Sequence, residues 1–518
     1  MKDFLRATIG LELGSTRIKA VLIDSEHKVL ASGEYGWQNK YKAGLWTYSL
    51  DDSLKGLGEC YRALKADVMS KYGVTLTKVG AIGISGMMHG YLAFDKNNKL
   101  LVPFRTWRNN NAANAAKELT RIFRYKIPNR WSIAHLYQAI KDGEQHVSEI
   151  TFVTTLAGYI HYKLTGQKVL GIGEASGMFP IDVGKKDYCS QAVAKFDNIL
   201  SVKKLPYKTI GVLPKIFIAG DNAGVLTAEG AKLLDEGGDL EFGIPMSPPE
   251  GDAGTGMVAT NSVKSGTGNI SAGTSVFAMV VLERPLSKVY PEADIVTTPC
   301  GNMVAMVHCN NCTAEIDAWA GVFGEFLDEF GVKDKSTLYS RLFEKALDGD
   351  ADCGGILAYN YLSGEHITNV ETGRPMVFRK TESSFNLANF MRAQIYSAFA
   401  TLKIGLDTIA KKEAVKIDFL NAHGGIFKTK GVAQRFLAAA TGVPVTVRKE
   451  ANEGGPYGSA LLASYMLNGK DQSLSDYLSS VFAGGEVDII KPLNEDRVGF
   501  EKFVKVYIKG LPIMRQKI

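Results

Sequence analysis

The sequence predicts an α/β protein made of two similar domains that face each other across a cleft. Three observations support this prediction. The chain has 518 residues, which is too long for one compact core. Strand-like apolar runs joined by glycine-rich turns open the chain, and the same arrangement begins again near residue 245. Segments with helical apolar spacing follow these strands in both halves, as expected of α/β domains.

The first half is predicted from alternating apolar residues, turn residues and helical spacing. Its elements are, in chain order, three strands within 7–35, a helix over 49–73, strands within 76–107 and helices within 111–170. The helix over 49–73 is also indicated by Asp51 and Asp52, because acidic side chains are favourable in a first helical turn.

The second half repeats this organisation. Its predicted elements are a strand (Gly243–Met246), loop and helix within 243–260, two strands around a glycine turn over 266–282, helices near 312–330, 336–348 and 386–413, a strand within 417–425, a helix over 431–442, and a strand, loop and helix over 443–469. No low-complexity tract or Pro/Ser-rich linker separates the halves. We therefore predict two domains, 1–258 and 259–518, joined by a tight crossover.

Charge and hydropathy exclude several classes of function. The 60 basic and 54 acidic residues are spread along the chain, without a Lys/Arg run interleaved with aromatic residues, so nucleic acid is not an expected partner. Apolar runs stop well short of the ~18 residues that suggest a membrane-spanning helix, so no membrane association is expected. The N-terminal residues lack the features of a signal peptide, and we expect a cytoplasmic protein.

The six cysteines are too sparse for a disulfide framework. One pattern, His308-Cys309-Asn310-Asn311-Cys312, places a C-x-x-C beside a histidine. A structural zinc site needs a second pair of ligands at matching spacing, which the sequence lacks, whereas a redox motif needs a helix that opens here. Free thiols are the simpler interpretation, and a metal or redox site stays open.

Two short turns have the composition of phosphate-binding loops. Gly14-Ser15-Thr16 lies between two predicted strands, and Gly273-Thr274-Ser275 repeats the arrangement in the second half. Glycine lets the backbone approach a ligand, while hydroxyl and N–H groups suit phosphate oxygens. Glu12, in the strand before the first turn, is placed to hold a hydrated Mg²⁺. Taken singly, an ordinary β-hairpin explains each turn.

The common nucleotide-binding fingerprints do not occur in the sequence. Gly266 and Gly268 lack the third glycine of the dinucleotide fingerprint, and there is no G-x₄-G-K-[ST]. Two later loops, Gly424-Gly425 and Glu453-Gly454-Gly455, lie at strand-to-helix junctions, where they would suit a flat slot for a purine near a helix N-terminus. Turn chemistry alone also accounts for each of them.

The order of these motifs resembles that of the FGGY carbohydrate kinases, within the actin/hexokinase ATPase superfamily, over nearly the whole chain. Family motifs correspond to residues 10–15 (first phosphate motif), 273–275 (Gly-Thr-Ser turn), 361–366 (similar to Leu-Ser-Gly-Glu-Arg) and 453–463 (late glycine-rich helix start). Met88-His89-Gly90 is similar to the sugar site of xylulokinase-like members. The resemblance implies two ribonuclease H-like (actin/hexokinase-type) domains with a central ATP/sugar cleft. It places the sugar site, first phosphate turn and catalytic aspartate in the first domain and the adenosine site in the second.

The resemblance also implies roles for individual residues. Contacts to ATP are expected from Gly14, Ser15, Thr16, Arg17, Gly273, Thr274, Ser275, Gly424, Gly425, Glu453 and Gly454. Contacts to the sugar are expected from Met88, His89, Trp107, Arg108 and Asp252, with Trp46 as a further candidate. Mg²⁺ is expected at Glu12 and Asp252.

The sequence departs from the family pattern at three positions. Glu12 stands where the family usually has aspartate. The usual Trp-x-Asp-x-Arg segment reads Trp107-Arg108-Asn109-Asn110-Asn111, so neutral amides at 109 and 111 are expected to meet the sugar instead of two charges. These departures therefore affect the expected substrate more than the expected chemistry. Glu174-Ala175-Ser176-Gly177 resembles the family's Asp-Ala-Ser segment, which we interpret as structural.

Two similar loops compete for the catalytic aspartate. Asp221 in IAGDNAG precedes a predicted helix with Thr227 as its N-cap, so its loop is interpreted as a turn. Asp252 in EGDAGTG follows a predicted strand, opens a small-residue helix and precedes Gly273 by 21 residues. That spacing is typical of the family, so Asp252 is predicted to be the general base.

The expected activity is ATP- and Mg²⁺-dependent phosphorylation of a sugar hydroxyl, with a ketopentose such as xylulose or ribulose as first candidate. The alternatives are a kinase for another polyol or deoxysugar, and a non-catalytic sugar- or nucleotide-binding regulator. Family members are often dimers, so the resemblance allows a homodimer.

Overall fold

The computed structural model describes residues 4–448, 454–485 and 487–516. The chain forms two compact units and mixes helices with strands, which confirms the predicted α/β class. Unit 1 comprises Met1–Val263, Ile295–Val304 and Glu453–Gly484, and unit 2 comprises Lys264–Asp294, Ala305–Asn452 and Gly485–Ile518. The main crossover lies at Val263/Lys264, and the chain returns to unit 1 twice after it.

The strands are, in chain order, β1 (Thr8–Leu13), β2 (Arg17–Ile23), β3 (Val29–Gly36), β4 (Lys40–Lys42), β5 (Leu45–Thr47), β6 (Ala81–Gly86), β7 (Leu92–Phe94), β8 (Phe152–Thr154), β9 (Val169–Gly171), β10 (Ile181–Asp182), β11 (Asp187–Tyr188), β12 (Lys215–Phe217), β13 (Glu250–Gly251), β14 (Thr267–Ala272), β15 (Val276–Val281), β16 (Asp294–Thr297), β17 (Met303–Cys309), β18 (Leu357–Tyr359), β19 (Met376–Phe378), β20 (Phe419–His423), β21 (Val445–Arg448) and β22 (Val487–Ile490).

The α-helices are, in chain order, α1 (Leu50–Tyr72), α2 (Ala113–Phe123), α3 (Ser132–Asp142), α4 (Leu156–Thr165), α5 (Ile172–Ala175), α6 (Ser190–Val202), α7 (Thr209–Val212), α8 (Ala228–Leu234), α9 (Asp252–Ala259), α10 (Ala314–Glu329), α11 (Leu338–Lys345), α12 (Leu387–Glu413), α13 (Val432–Thr441), α14 (Gly455–Asn468), α15 (Leu474–Val481) and α16 (Asn494–Met514). Over the described residues, no helix has both the length and the apolar character needed to cross a bilayer.

The sheet of unit 1 has the strand order β13-β6-β1-β2-β3. β1 pairs with β2 in antiparallel orientation and with β6 in parallel orientation, and β13 extends the parallel part beside β6. The first helix, α1, covers this sheet from Leu50, with Ser49 accepting the Asp52 N–H as N-cap. The predicted strands and helix of the first 73 residues are thus confirmed.

Helix α14 lies directly on the parallel strands of unit 1, although it follows them by hundreds of residues. Gly10 and Gly83 are neighbours on β1 and β6, and a Cβ at either would collide with the α14 backbone. Thr8 Oγ1 donates a hydrogen bond to the Ala460 carbonyl at 3.0 Å. Side-chain-free surfaces permit this close helix–sheet contact, which explains why residues 454–484 belong to unit 1.

The strand that leads to Asp252 differs from its prediction. Residues Gly243–Met246 do not form a strand; Pro245 and Met246 make only isolated bridges, and the short strand β13 begins at Glu250. The physical reason is the Pro248-Pro249 pair, which has no N–H groups to donate and so interrupts the ladder beside β6.

The larger sheet has the order β16-β17-β15-β14-β20-β21-β22. In unit 2, β14 pairs with β15 around the 273–275 turn, as the sequence predicts, and the structure adds that β14 runs parallel to β20. The long helix α12 begins at Leu387 with Asn386 as its N-cap, which confirms the helix predicted near 386–413. α10 and α11 likewise lie where helices are predicted.

A buried polar cluster surrounds Tyr91, the residue before β7 in unit 1. Arg105 forms an ion pair with Glu144, and Tyr91 shares a 2.9 Å hydrogen bond with His146. His135 on α3 is fully buried beside them, and neither ring nitrogen has a hydrogen-bond partner within the described residues. Burial and the charge of Arg105 lower the pKa of His135 to about 3.

We expect the lowered pKa of His135 to reduce stability in acid, and His135→Leu should remove this contribution. Between pH 6.5 and about 3 the unfolded chain binds a proton at His135 that the folded protein does not, so stability is lost as the pH falls. The loss at pH 5 is about 2 kcal/mol. The free energy of unfolding of the variant in urea should therefore depend less on pH between 6.5 and 5. At pH 7.5 the variant should be at least as stable as the wild type. Parallel pH dependence in both proteins would contradict this assignment.

Candidate functional site

Three parallel strands of unit 1 end at the same edge of the sheet. β1 ends at Leu13, β6 at Gly86 and β13 at Gly251, and ligands of α/β sheets bind beyond such carboxyl ends. The residue after β13 is Asp252, which opens α9. Its Oδ1 accepts the N–H of Met88, which follows β6, at 3.2 Å, and the N–H of Ala253 at 2.8 Å. Two predicted site residues are thus joined directly.

Asp252 faces a second carboxylate, Glu12 on β1. Burial, and then the charge of Asp252, raise the pKa of Glu12 to about 8, against a lowering effect of Lys19. Asp252 is exposed, yet it lies at the end of β13 among the residues that follow β6. Desolvation by the surrounding protein raises its pKa to about 6, although the N–H groups of Met88 and Ala253 oppose the rise. A like-charged pair of this kind is typical of a functional site.

Two further carboxyl groups, Glu174 and Glu250, lie behind this pair and were not among the predicted site residues. Glu250 accepts the N–H groups of Gly173 (3.2 Å) and Glu174 (2.8 Å), and burial raises its pKa to about 8. Glu174 is fully buried next to Gly251; burial raises its pKa well above the ordinary value, and the charges of Asp252 and Glu250 add to this effect. The Glu-Ala-Ser-Gly segment was the available signal, but its pattern does not reveal the proximity to Asp252.

The residues present suit a hydrated divalent cation. The charge of Asp252 raises the pKa of Glu12, so a cation between the two carboxylates would relieve their repulsion. Within the described residues, no group of three or more His, Cys, Asp or Glu side chains is placed to hold a metal by itself. Mg²⁺ ordinarily keeps several waters and uses one or two carboxylates together with substrate phosphates, which two carboxylates can satisfy.

The carbonyl groups of the first phosphate turn accept hydrogen bonds from other residues of unit 1. Trp37 donates from Nε1 to the Gly14 carbonyl at 2.7 Å and from its backbone N–H to Thr16 at 3.2 Å. The Tyr48 hydroxyl donates to the Ser15 carbonyl at 2.6 Å. In the described part of the chain, the Ser15 and Thr16 N–H groups have no acceptor. The turn therefore presents donors outward, as an anion requires.

Trp37 and Tyr48 are site residues that the sequence did not reveal. Their rings are in contact, with centroids 4.4 Å apart and ring planes inclined by 32°. No local pattern marks an aromatic side chain that donates to a distant carbonyl. The Arg17 side chain, predicted to contact ATP, forms an exposed ion pair with Glu34 at 2.8 Å.

The second phosphate turn lies in unit 2, and its carbonyl groups also accept hydrogen bonds from other residues of its own unit. The Gly273 and Thr274 carbonyls accept the N–H groups of Thr313 (3.1 Å) and Cys312 (2.9 Å). Gly424 packs on this turn, because a Cβ there would collide with the Ala272 carbonyl, and its φ of 118° suits glycine.

The other predicted glycine positions are placed differently. Gly425 begins a short 3₁₀-helix with open space around it. Gly454 is the N-cap of α14 in unit 1, and the following Gly455 lies against the Glu12 carboxylate. The late glycine loop thus adjoins the carboxylate pair of unit 1, rather than lying in unit 2 as the predicted domains imply. Glu453 is outside the described residues.

The predicted sugar residues of unit 1 lie on two segments. His89 contacts the Gly177 carbonyl through Nδ1 at 3.1 Å, and Met88 lies beside Gly177 and Gly251. Trp107 and Arg108 are exposed, and the Arg108 guanidinium lies 4.1 Å from the centre of the Trp46 ring. No other described residue forms an ion pair or a hydrogen bond with that guanidinium.

Asn109 has a different use from the one expected. Its Oδ1 accepts the Trp46 N–H and its Nδ2 donates to the Trp46 carbonyl, both at 2.8 Å, and Nδ2 also reaches the Thr106 carbonyl at 3.1 Å. An amide can both accept and donate, whereas a carboxylate can only accept. Asn109 is therefore occupied in fixing Trp46 instead of facing a sugar, while Asn111 is exposed.

The Asp221 loop is a turn, as predicted. Asp221 Oδ2 accepts the Ile218 N–H at 2.9 Å, and Asn222 Oδ1 accepts the Gly224 N–H at 3.0 Å. The helix that follows, α8, has Thr227 as its N-cap, which accepts the Gly230 N–H. The Asp221 and Asn222 side chains thus accept hydrogen bonds from the backbone of their own loop, which is the usual role of these residues in a turn.

The six cysteines are free thiols, and Cys309 and Cys312 are buried. Burial raises the pKa of Cys309 well above its ordinary value and that of Cys312 in the same direction, which disfavours the reactive thiolate.

Comparison with known proteins identifies the family. Residues 7–258 match the N-terminal domain, and residues 268–467 the C-terminal domain, of the FGGY family of carbohydrate kinases. The xylulose kinase of Haemophilus influenzae is 22% identical over 476 residues, which cover 88% of this chain and 90% of that protein. The crystal structure of a xyloylose kinase from Brucella ovis has a TM-score of 0.81 at 18% identity, covering 98% of this chain and 99% of that one. That of a gluconate kinase from Lactobacillus acidophilus has the same TM-score and identity, covering 99% and 98%. The predicted two-domain, actin/hexokinase-type fold is confirmed.

Proposed function

Because the chain belongs to the FGGY family of carbohydrate kinases and is an ATP-dependent sugar kinase, we propose that it phosphorylates a ketopentose, with Asp252 as general base. Xylulose and ribulose are the first candidates, since curated relatives over most of the chain are named xylulose kinase. The observation that supports the chemistry is the meeting of Asp252 and Glu12 at the ends of parallel strands.

Asp252 would accept the proton of the attacking sugar hydroxyl. Phosphoryl transfer depends on positioning and charge neutralisation more than on covalent help, and a carboxylate held by the Met88 and Ala253 N–H groups is already oriented. Its raised pKa makes it a better proton acceptor than an ordinary aspartate. Glu12 and Asp252 would hold Mg²⁺ through water, and the ion supplies neutralisation of phosphate charge.

The two phosphate turns would bind the oxygens of ATP. Each has carbonyls held by other parts of its own unit, so their oxygens are turned away from a phosphate and N–H and hydroxyl groups are offered instead. Fixed donors of this kind need no reorganisation as charge develops during the transfer.

A panel assay of ADP release tests this proposal. Purified protein is given ATP, Mg²⁺ and, one at a time, ketopentoses, aldoses, polyols, deoxysugars and aldonates. We expect ADP release with xylulose or ribulose well above the sugar-free rate. Activity confined to another polyol or deoxysugar would contradict the proposed substrate but support the proposed phosphoryl transfer. No sugar-dependent release, with ATP still bound, would favour a non-catalytic regulator.

One observation favours a second substrate class, an aldonate. The exposed Arg108 guanidinium lies over the Trp46 ring without an acidic partner among the described residues, and a planar guanidinium pairs well with a carboxylate. One structurally similar protein is a gluconate kinase. Gluconate in the same panel decides between the classes, and Arg108→Met should then abolish a preference for the acid over the neutral sugar.

Asn109→Asp is expected to weaken sugar binding. The carboxylate cannot donate to the Trp46 and Thr106 carbonyls, so Trp46 loses its fixed position. A lost buried hydrogen bond costs on the order of 1–3 kcal/mol, and we expect the KM for the sugar to rise about tenfold. Steady-state kinetics in sugar and in ATP measure this effect, with the KM for ATP unchanged.

Asn111→Asp is the matched control, since Asn111 is exposed and occupies the other position where the family is charged. It should change both KM values less than about twofold. An Asn109→Asp enzyme that binds sugar as well as the wild type, or better, would mean that this side chain faces the sugar.

A further inference from the structure

The second phosphate turn depends on a neighbouring segment for its orientation. The N–H groups of Cys312 and Thr313 hold the Thr274 and Gly273 carbonyls, at 2.9 and 3.1 Å. Among the residues that the structure describes, none accepts a hydrogen bond from the Thr274 or Ser275 N–H. The turn can offer these donors to an anion only while its carbonyls stay where residues 310–313 hold them.

Residues 310–313 have no regular secondary structure, since β17 ends at Cys309 and α10 begins at Ala314. Their position is set by hydrogen bonds from outside. Asn311 Oδ1 accepts the Leu362 and Ser363 N–H groups, both at 3.0 Å, and the Asn360 side chain donates to the Cys312 carbonyl at 3.1 Å. The segment is therefore fixed by the loop that contains residues 360–365.

Glu365 is the buried acidic residue of the 360–365 loop that binds residues 310–313. It is 1% exposed, and its Oε2 accepts the Asn310 N–H at 2.7 Å and Asn311 Nδ2 at 3.3 Å. Burial raises its pKa to about 7, against those hydrogen bonds. Burying a carboxyl group is unfavourable unless it forms hydrogen bonds. Here Glu365 accepts hydrogen bonds from two consecutive residues of the segment, Asn310 and Asn311.

We propose that Glu365 and Asn311 are positioning residues for the second phosphate turn. They fix residues 310–313, and this segment keeps the Gly273 and Thr274 carbonyls turned away from the ATP phosphates. The inference rests on the proposed binding of phosphate by this turn. It also explains the Cys309-Asn310-Asn311-Cys312 pattern, in which the asparagine side chains and the Cys312 N–H form the link and the buried thiols take no part.

Direct binding of ATP and of adenosine, by calorimetric titration of the whole chain, tests the proposal without any sugar. Glu365→Ala and Asn311→Ala should each weaken ATP binding about tenfold, the effect of losing about one hydrogen bond to a charged group. Adenosine has no phosphate, so its affinity should stay within about twofold. A general structural defect would lower both affinities together.

Two controls sharpen this test. Glu365→Gln keeps an oxygen for the Asn310 N–H and should retain most of the ATP affinity. Glu382→Ala removes an exposed glutamate that lies 3.7 Å from Lys380 and should change neither affinity. Unchanged ATP binding in both alanine variants, or an equal loss for ATP and adenosine, would overturn the proposal. If Glu365→Ala does not fold, the single variants Asn311→Ala and Glu365→Gln provide the same test. Absence of sugar phosphorylation by the wild type would count against the proposed kinase activity, whereas this titration needs no sugar and would still test the positioning of the second phosphate turn.

Discussion

Asp252→Asn should lower kcat by about 10²–10⁴-fold, the usual contribution of a general base. Asparagine has nearly the same shape and keeps an oxygen for the Met88 and Ala253 N–H groups, so α9 should begin as before. It cannot take the proton of a sugar hydroxyl. Because the carboxylate is desolvated and faces Glu12, its removal should leave the melting temperature unchanged or higher. Sugar-dependent ADP release and thermal melting measure the two effects.

Asp221→Asn is the matched control, being the same substitution in the similar loop. Among the described residues, the Asp221 side chain accepts a hydrogen bond only from the Ile218 N–H, and an asparagine oxygen can replace that bond. Its kcat should stay within about twofold of the wild type. Near-normal turnover by Asp252→Asn, or an equal loss in both variants, would contradict the assignment of the base.

Asp496→Ala should destabilise unit 2 by about 3–5 kcal/mol, the usual result of breaking a buried ion pair from one side. Asp496 and Arg392 are 1% and 2% exposed and paired, and Arg435 Nε also binds Asp496 at 2.5 Å. These bonds connect α16 with α12 and α13. Burial alone would raise the pKa of Asp496, but Arg435 and Arg392 outweigh it and hold the pKa below its ordinary value. Urea unfolding measures the loss.

Glu501→Ala provides the comparison on the same helix. Glu501 pairs with Arg497 at 3.3 Å, and the two side chains are 47% and 43% exposed, so its loss should change the free energy of unfolding by less than about 1 kcal/mol. The double variant Asp496→Leu/Arg392→Met removes both buried charges and should lose less stability than Asp496→Ala. A larger loss in the double variant would show that the cluster contributes through packing instead.

The candidate site was predictable from the sequence where its residues lie at or near the ends of strands. Glu12 is the next-to-last residue of β1 and Asp252 directly follows β13 of the same sheet, and parallel strands bring such residues together. The strand before Asp252 was misplaced because the effect of Pro248-Pro249 on the ladder depends on the neighbour, β6, that a sequence does not identify.

Contacts between distant residues were not predictable from local patterns. Trp37 and Tyr48 hold the first turn through hydrogen bonds to its carbonyls, and Asn109 holds Trp46 through its amide. Neither propensity nor spacing encodes such pairs, since each depends on tertiary packing. The placement of α14 on β1 likewise becomes clear only when Gly10 is seen to lie under it.

The most direct test of the central claim is ³¹P NMR of a reaction that contains the wild-type protein, ATP, Mg²⁺ and the best sugar of the panel. Transfer to a sugar hydroxyl predicts that the γ-phosphate signal of ATP is replaced one for one by a phosphomonoester signal split by the sugar protons. Loss of the γ-phosphate to inorganic phosphate alone, or an unchanged spectrum with every sugar of the panel, would contradict it.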